Sequence, residues 1–325
     1  HNIYGHMMNM ATAHSYRPFE EGFILTRAAY AGTEKFAATW TGDNQSSFDD
    51  VRLCIPQFAS MAMSGYSLVG CDIGGFNGDC TGELLIRFAI VNMLAPIFRN
   101  HSACNTRPQE PYAFDEATKN RYRKIVMTRL ELVPYLSNCL INHVELGDPI
   151  LSPLIYNFPE DPEVINENTE IMCGDSLLLA PALFAGQKKR EAYFPDTFYG
   201  YFSHQRYEKG YHLINCSLDD IPLFVRANRL VPLSPKGTRT TDYQKRLRLL
   251  WTGGEARLVY NEEITGLTLT GETRRITEYR IDDAGLLEES VLNQGGDVFS
   301  SALSEDDYSI SHHDEVVVEN GFLDE

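Results

Sequence analysis

The feature that most constrains this chain is a strand-then-helix rhythm repeated over its first 150 residues. Phe23-Ile24-Leu25-Thr26-Arg27 reads as a short buried strand and Phe36 to Thr41 as a second. Tyr66-Ser67-Leu68-Val69-Gly70-Cys71 reads as a third and Ala95-Pro96-Ile97-Phe98 as a fourth. Between the second and third, Val51, Cys54, Ile55, Phe58, Met61 and Ala62 recur at helical spacing, with Ser47 as the start signal, Gly65 as the stop and Pro56 as a kink. Leu84 to Met93 repeats the theme, and Asp115 opens a long helical stretch through Leu140, kinked at Pro134 and ended by Gly147. Strands and helices that alternate at this spacing demand parallel strands joined by crossover helices. Four such units make half of an eight-stranded barrel, and half a barrel leaves two parallel edges that need covering. The fold class expected is therefore α/β, with residues 1–150 forming the second half of a (β/α)8 TIM barrel and an N-terminal half as its partner.

From about Pro149 the texture changes to short β-rich segments separated by turn residues, such as Leu177-Leu178-Leu179-Ala180-Pro181 and Ile221-Pro222-Leu223-Phe224-Val225-Arg226. Two small all-β sandwich domains are expected, over 151–232 and 233–325, divided near Leu233-Ser234-Pro235-Lys236-Gly237. The distal stretch alternates apolar and polar residues, as in Arg246-Leu247-Arg248-Leu249 and Leu267-Thr268-Leu269-Thr270. At 325 residues the chain exceeds what one hydrophobic core normally serves, in keeping with several domains.

Composition excludes several classes of partner. A formal charge of −17, from 45 acids against 28 bases, is wrong for neutralising phosphates, so no nucleic acid partner is expected. The longest apolar run, Phe88 to Phe98, is broken by Asn92 and Pro96 and is far shorter than the roughly 20 residues that span a bilayer, so no membrane partner is expected. Seven cysteines, an odd number without CxxC pairs or regular spacing, do not read as a disulfide framework, and a reducing compartment such as the cytoplasm is the expectation. The sequence opens at His1 with no Met, so a signal peptide is not something it could display.

Catalytic residues of α/β barrels sit at the C-terminal ends of the strands. Each expected strand here ends in a charged or polar group: Arg27 after the first, Asp43 after Trp40-Thr41-Gly42, Asp72 after the third, and Arg99 with His101 after the fourth. One such end is readily a structural ion pair; four in succession point to a site. Glycosidic cleavage needs two carboxyl groups, one to protonate the leaving oxygen and one to stabilise or capture the oxocarbenium-like centre. Asp43 and Asp72 could form that pair on residue type alone.

The surrounding strings make the resemblance specific. Leu25-Thr26-Arg27, Trp40-Thr41-Gly42-Asp43-Asn44, Gly70-Cys71-Asp72-Ile73-Gly74-Gly75-Phe76 and Arg99-Asn100-His101 resemble the family 31 glycoside hydrolases, which include α-glucosidases and α-xylosidases. His1-Asn2-Ile3-Tyr4-Gly5 looks like the family's HNxYG element, and Glu110-Pro111-Tyr112, Pro134-Tyr135-Leu136, Gly174-Asp175-Ser176-Leu177-Leu178 and Ile221 to Arg226 add to the match, which runs to about Pro232. The resemblance implies a retaining hydrolase that cleaves α-glucosidic bonds from the non-reducing ends of α-linked oligosaccharides. Asp43 would be its general acid/base, kept protonated by a dry pocket and a neighbouring negative charge. Arg27 would hold sugar hydroxyls and tune the carboxylates, Asp72, Arg99 and His101 would line the glucosyl subsite, and Trp40 and Phe76 would offer apolar ring faces to sugar C–H groups.

The resemblance also implies a nucleophilic Asp in a Trp-x-Asp-like motif upstream of HNxYG, so the chain is expected to need an N-terminal half for double displacement. Two alternatives stand beside hydrolysis: glucosyl transfer to another sugar, and a non-catalytic carbohydrate-binding fragment. Related α-glucan lyases carry Thr where this chain has Ile73, which favours hydrolysis. Other residues read more simply. Trp40 and Phe76 could serve as barrel core, Arg87 is expected as a buried ion-pair partner, Met7, Met8 and Met10 as helix packing, and His312-His313 as a solvated pair. No residues show zinc or EF-hand spacing, so neither a metal nor any other cofactor is expected.

Overall fold

A computed structural model describes residues 1–16, 22–234 and 247–253 in full and, by backbone alone, six further strands between 256 and 311. His312-His313 and the Pro235-Lys236-Gly237 boundary lie outside the described residues. The chain divides into two compact units, one of His1–Arg129 with Cys139–Arg226 and one of Leu130–Asn138 with Ala227–Glu325.

In the first unit four short strands succeed one another: β1 (Leu25–Thr26), β2 (Ala38–Thr39), β3 (Asp72–Ile73) and β4 (Arg99–Asn100). β1 pairs with β2 in parallel, Leu25 opposite Ala38, and β3 with β4 in parallel, Asp72 opposite Arg99. The two ladders are joined because Thr39 N–H donates to Leu68 O and Thr41 N–H to Gly70 O, each at 3.0 Å. Neighbouring strands thus follow chain order, as successive β/α units require. The last two strands differ from the hydropathy reading in register. Their ladder runs through the polar tips and not only the apolar runs before them, because Asp72 and Arg99 stand opposite each other as a cross-strand ion pair.

The helices follow their start and stop signals. α1 spans Tyr4–Tyr16, α2 Phe48–Met63, α3 Gly82–Asn92, α4 Glu116–Glu131 and α5 Val133–Leu146. Ser47 caps α2 by accepting from Asp50 N at 3.1 Å, and the helix continues through Pro56. Its buried face is Val51, Cys54, Ile55, Phe58, Ala59 and Ala62, with Met61 half-buried at the margin. Thr81 caps α3, whose residues from Leu84 to Asn92 are all buried, as befits a helix covered on every side. The single helical stretch expected from Asp115 is two helices parted at Leu132, and the second runs on to Leu146 before Gly147. Pro134 occupies the first turn of α5, where a missing N–H costs nothing.

The methionine reading of α1 is corrected. Met7 and Met8 are exposed and Met10 is half-buried, whereas the buried residue of that helix is Asn9. Its Nδ2 lies 2.8 Å from Gly5 O, 2.9 Å from Ala28 O and 3.1 Å from Thr26 Oγ1. Asn9 thereby ties the helix to β1.

Beyond α5 the first unit is β-rich. A six-stranded sheet contains β5 (Leu151–Ser152), β6 (Ile171–Cys173), β7 (Leu177–Leu179), β9 (Phe198–Gly200), β10 (Arg206–Tyr207) and β12 (Leu223–Arg226), in the order β10-β9-β12-β7-β6-β5. β8 (Lys189–Phe194) and β11 (Gly210–Asn215) form an antiparallel pair. Met172, Leu178, Phe198 and Phe224 of the sheet bury against Ala192, Phe194 and Ile214 of that pair. Arg87 ties α3 to this region. It is buried, donates to Cys216 O and Gln187 O at 2.7 Å each, and lies 3.4 Å from Glu83, so the expected ion pair is present with two backbone acceptors added.

In the second unit β13 (Leu230–Leu233) pairs antiparallel with β14 (Leu247–Trp251), and β17 (Thr277–Ile281), β18 (Leu287–Leu292) and β19 (Val298–Ala302) extend that sheet. A three-stranded sheet joins β15 (Ala256–Tyr260), β16 (Ile264–Leu269) and β20 (Tyr308–Ser311). Ser234 Oγ donates to Leu130 O at 2.9 Å, and Arg248 pairs with Glu131 at 3.2 Å.

Candidate active site

Because β1 to β4 run parallel, their C-terminal ends emerge on one side and deliver their next residues to a common face. Arg27 follows β1 directly, and Asp43 lies four residues beyond β2 on a loop. The two meet through Arg27 Nη1 and Asp43 Oδ2 at 3.1 Å. Both are open to solvent, with side chains 59% and 38% exposed. The dry pocket expected around Asp43 is therefore not formed by the described residues, since the carboxyl stands beyond the ladder with Arg27 as its ion partner.

Asp72 has the opposite environment. Its side chain is 1% exposed, and Oδ1 accepts from Arg99 Nε at 3.0 Å and also from Nη2. Oδ2 is buried without a hydrogen-bond partner in the structure. Burial raises the Asp72 pKa from its ordinary value; Arg99 and then His101 oppose the rise, while the Asp43 charge adds to it. Asp72 therefore feels charges from both adjoining strand ends.

The aromatic residues complete the contacts. The Arg99 guanidinium lies 4.8 Å from the centroid of the Trp40 ring, so one face of that indole is already occupied by a cation. Phe76 stacks on His101 with centroids 5.4 Å apart and an interplanar angle of 26°. Trp40 and Phe76 are both half-buried and His101 is exposed, which places the aromatic pair at the surface of the face and not in the barrel core. All seven predicted residues are thus linked: Arg27 to Asp43, Asp72 to Arg99, Arg99 to Trp40, and Phe76 to His101, with Asp72 electrostatically coupled to both Asp43 and His101.

Two amides that bind the face together were not anticipated. Asn44 Nδ2 donates to Asp72 O at 2.9 Å, and its Oδ1 and backbone O accept from Phe76 N at 3.3 and 2.8 Å, so the residue after Asp43 grips the loop after β3. Gln109 is 3% exposed, and its Nε2 donates to Ile73 O at 2.9 Å and His101 O at 3.0 Å. The signal for Asn44 was present in its place beside Asp43. For Gln109 the only signal was a polar residue ahead of Glu110-Pro111, eight positions from His101.

The described residues hold no cluster of three or more His, Cys, Asp or Glu arranged for a metal ion. No helix among them is long and apolar enough to cross a membrane. None of the seven cysteines is in a disulfide; six are buried and Cys104 is exposed. Cys54 Sγ lies 3.4 Å from Cys71 Sγ, and that contact together with burial raises the Cys54 thiol pKa.

Comparison with known proteins bears on the family and the fold. Residues 1–139 match the glycosyl hydrolases family 31 TIM-barrel domain, and residues 147–231 match the glycosyl hydrolase family 31 C-terminal domain. The chain is 33% identical over 271 residues to alpha-glucosidase 2 of Bacillus thermoamyloliquefaciens, an overlap of 81% of this chain and 34% of that protein. It is 31% identical over 251 residues to human neutral alpha-glucosidase C, covering 75% of this chain and 28% of the relative. The chain thus spans about a third of the length of the relatives it matches. In fold it is similar to a glucosidase II alpha subunit, with a TM-score of 0.73, 23% identity, and coverage of 89% of this chain and 33% of that one. It is likewise similar to a Flavobacterium johnsoniae family 31 dextranase complexed with glucose, with a TM-score of 0.75, 22% identity, and coverage of 92% and 40%. With a barrel domain and a C-terminal domain of one family matched in succession along it, the chain belongs to family 31 of the glycoside hydrolases.

Proposed function

We propose that this chain carries the acid/base side of a retaining α-glucosidase site that removes glucosyl units from the non-reducing ends of α-linked oligosaccharides. The supporting observation is the convergence of Arg27, Asp43, Asp72 and Arg99 on the ends of adjacent parallel strands, with Asp43 the carboxyl left open. A general acid must reach the glycosidic oxygen, and Asp43 is accessible and on a loop. Asp72 is unsuited to attack an anomeric carbon, being buried and held through Oδ1 by Arg99. Its role is to fix ring hydroxyls together with His101 and Arg99, while Phe76 and the free face of Trp40 pack on sugar C–H groups. Arg27 steadies the Asp43 carboxylate at the glycosyl-intermediate stage, after its proton has gone to the leaving group and before water returns one.

Retention requires a second carboxylate about 5 to 5.5 Å from the first, to form and then release a glycosyl intermediate. In this reading the nucleophilic Asp comes from an N-terminal half of the barrel, which also covers the open strand edge beside β1. The β-rich stretches are read as two small sandwiches. Hydrolysis is preferred to sugar binding alone because binding does not require an acid such as Asp43.

The test is to assemble the chain with its N-terminal barrel half and assay p-nitrophenyl α-glucoside. Asp43→Asn should lower kcat on the order of 10²- to 10⁴-fold, as expected when general acid–base catalysis is removed. Full activity in that variant would overturn the assignment. Product analysis at high maltose concentration separates hydrolysis from transfer.

A further inference from the structure

The tips of β3 and β4 carry Asp72, Arg99 and His101, yet each strand holds only two ladder residues. So short a ladder fixes the strand bodies but leaves the residues just beyond them to be held by something else. Asn44 holds the β3 side, and a second amide, Gln109, ties the two tips together. Gln109 Nε2 bridges Ile73 O and His101 O, one carbonyl from the tip of each strand, at 2.9 and 3.0 Å. The Gln109 backbone carbonyl accepts from Asn100 Nδ2 at 2.9 Å, so the same residue also grips the position between Arg99 and His101.

The surroundings are built around this amide. Gly74 has φ of +92°, and a Cβ there would stand 2.9 Å from Gln109 Cδ and Oε1 and 3.0 Å from Nε2. Any side chain at position 74 would push the amide off its two carbonyls, besides straining the backbone. Gln109 Oε1 is buried with no hydrogen-bond partner in the structure, so the side chain is held there by its donor end alone.

We propose that Gln109 is a positioning residue of this site, its carboxamide setting the distance and angle between Asp72 and His101 as they grip one glucosyl ring. This deepens, and rests on, the glycosidase reading given above. Gln109 touches no substrate; it acts through the two carbonyls. Because the ring is held more tightly when distorted toward the transition state, a loosened grip lowers kcat more than it raises KM.

Two measurements test it. In the enzyme assembled with its N-terminal half, Gln109→Met should lower kcat with p-nitrophenyl α-glucoside on the order of 10- to 100-fold while KM moves less than about threefold. Gln109→Glu provides the rescue arm: a neutral carboxylic acid can donate to one carbonyl, whereas a carboxylate repels both. Its deficit relative to wild type should therefore be smaller near pH 5 than near pH 7. An unchanged kcat in Gln109→Met beside a dead Asp43→Asn would overturn the positioning role and leave the glycosidase reading intact. Full activity in Asp43→Asn would sink the reading instead. Amide hydrogen exchange on the chain itself needs no turnover. Gln109→Met should speed exchange at 73–76 and 101–103 and spare 171–179, and unaltered exchange at the tips would overturn the proposal.

Discussion

Arg99 and Asp72 face each other across the β3–β4 ladder, with Nε 3.0 Å from Oδ1, the carboxylate 1% exposed and the guanidinium 30% exposed. Removing one member of such a pair strands the other in a poorly hydrated place, which costs more than the pair itself is worth. Arg99→Met should destabilise the protein by about 2 to 3 kcal/mol, toward the low end for buried pairs because Arg99 is partly solvated. Denaturant unfolding of the two proteins checks this, and the double variant Asp72→Asn/Arg99→Met should recover part of the loss.

Arg27 and Asp43 make the contrasting pair, at 3.1 Å but with both side chains well exposed. Exposed pairs contribute about 0 to 1 kcal/mol, so Arg27→Met should leave the melting temperature within about 2 °C of wild type. The same variant should lose activity on the order of 10-fold or more in the assembled enzyme. A large stability loss without an activity loss would reverse the roles given to the two ion pairs.

Glu170 supplies a pH dependence remote from the site. Its Oε1 accepts from Arg190 at 3.0 Å and Tyr193 N at 2.9 Å, while Oε2 is buried without a hydrogen-bond partner in the structure. Burial outweighs the pull of Arg190 and pushes the carboxyl up from 4.5 to about 8. The folded protein therefore keeps a proton that the unfolded chain releases above 4.5. Stability from this group is fully present below that value and is lost as pH rises toward about 8. Glu170→Gln removes this titration, so its melting temperature should fall less than that of wild type between about pH 5 and pH 8. Parallel pH profiles for the two proteins would contradict the assignment.

Gly70 sits where the third strand passes the fourth. A Cβ at that position would lie 2.0 Å from Ile97 O, a backbone atom that cannot swing aside as a side-chain end could. Gly70→Ala should cost at least about 3 kcal/mol or prevent folding, read by soluble yield and thermal melting.

How far the sequence displayed this arrangement depended on the kind of force involved. α2 was legible to its cap because burial of Val51, Cys54, Ile55 and Phe58 imposes a helical period and Ser47 supplies the orphan N–H partner. The strand-end residues were legible because parallel strands bring their ends to one face whatever lies between them. The register of β3 and β4 was not, since an ion pair across two strands leaves no periodic trace. Met7 and Met8 were misread because hydropathy cannot tell that Asn9 is the residue a helix uses to dock. Asn44 and Gln109 escaped for the same reason: amide-to-carbonyl bonds spanning 28 and 36 residues obey no sequence spacing.

Arg87 has a consequence for how the molecule is made. Its acceptor carbonyl on Cys216 lies 129 residues further along the chain. At ordinary synthesis rates of about 5 to 20 residues per second, that separation amounts to roughly 6 to 26 seconds during which α3 exists without its partner. A guanidinium destined for the interior has to stay hydrated in that interval, so the core around Phe88 and Val91 cannot close fully while the nascent chain is short. Burial of the Arg87 guanidinium is thereby deferred until Gln187 and Cys216 have left the ribosome.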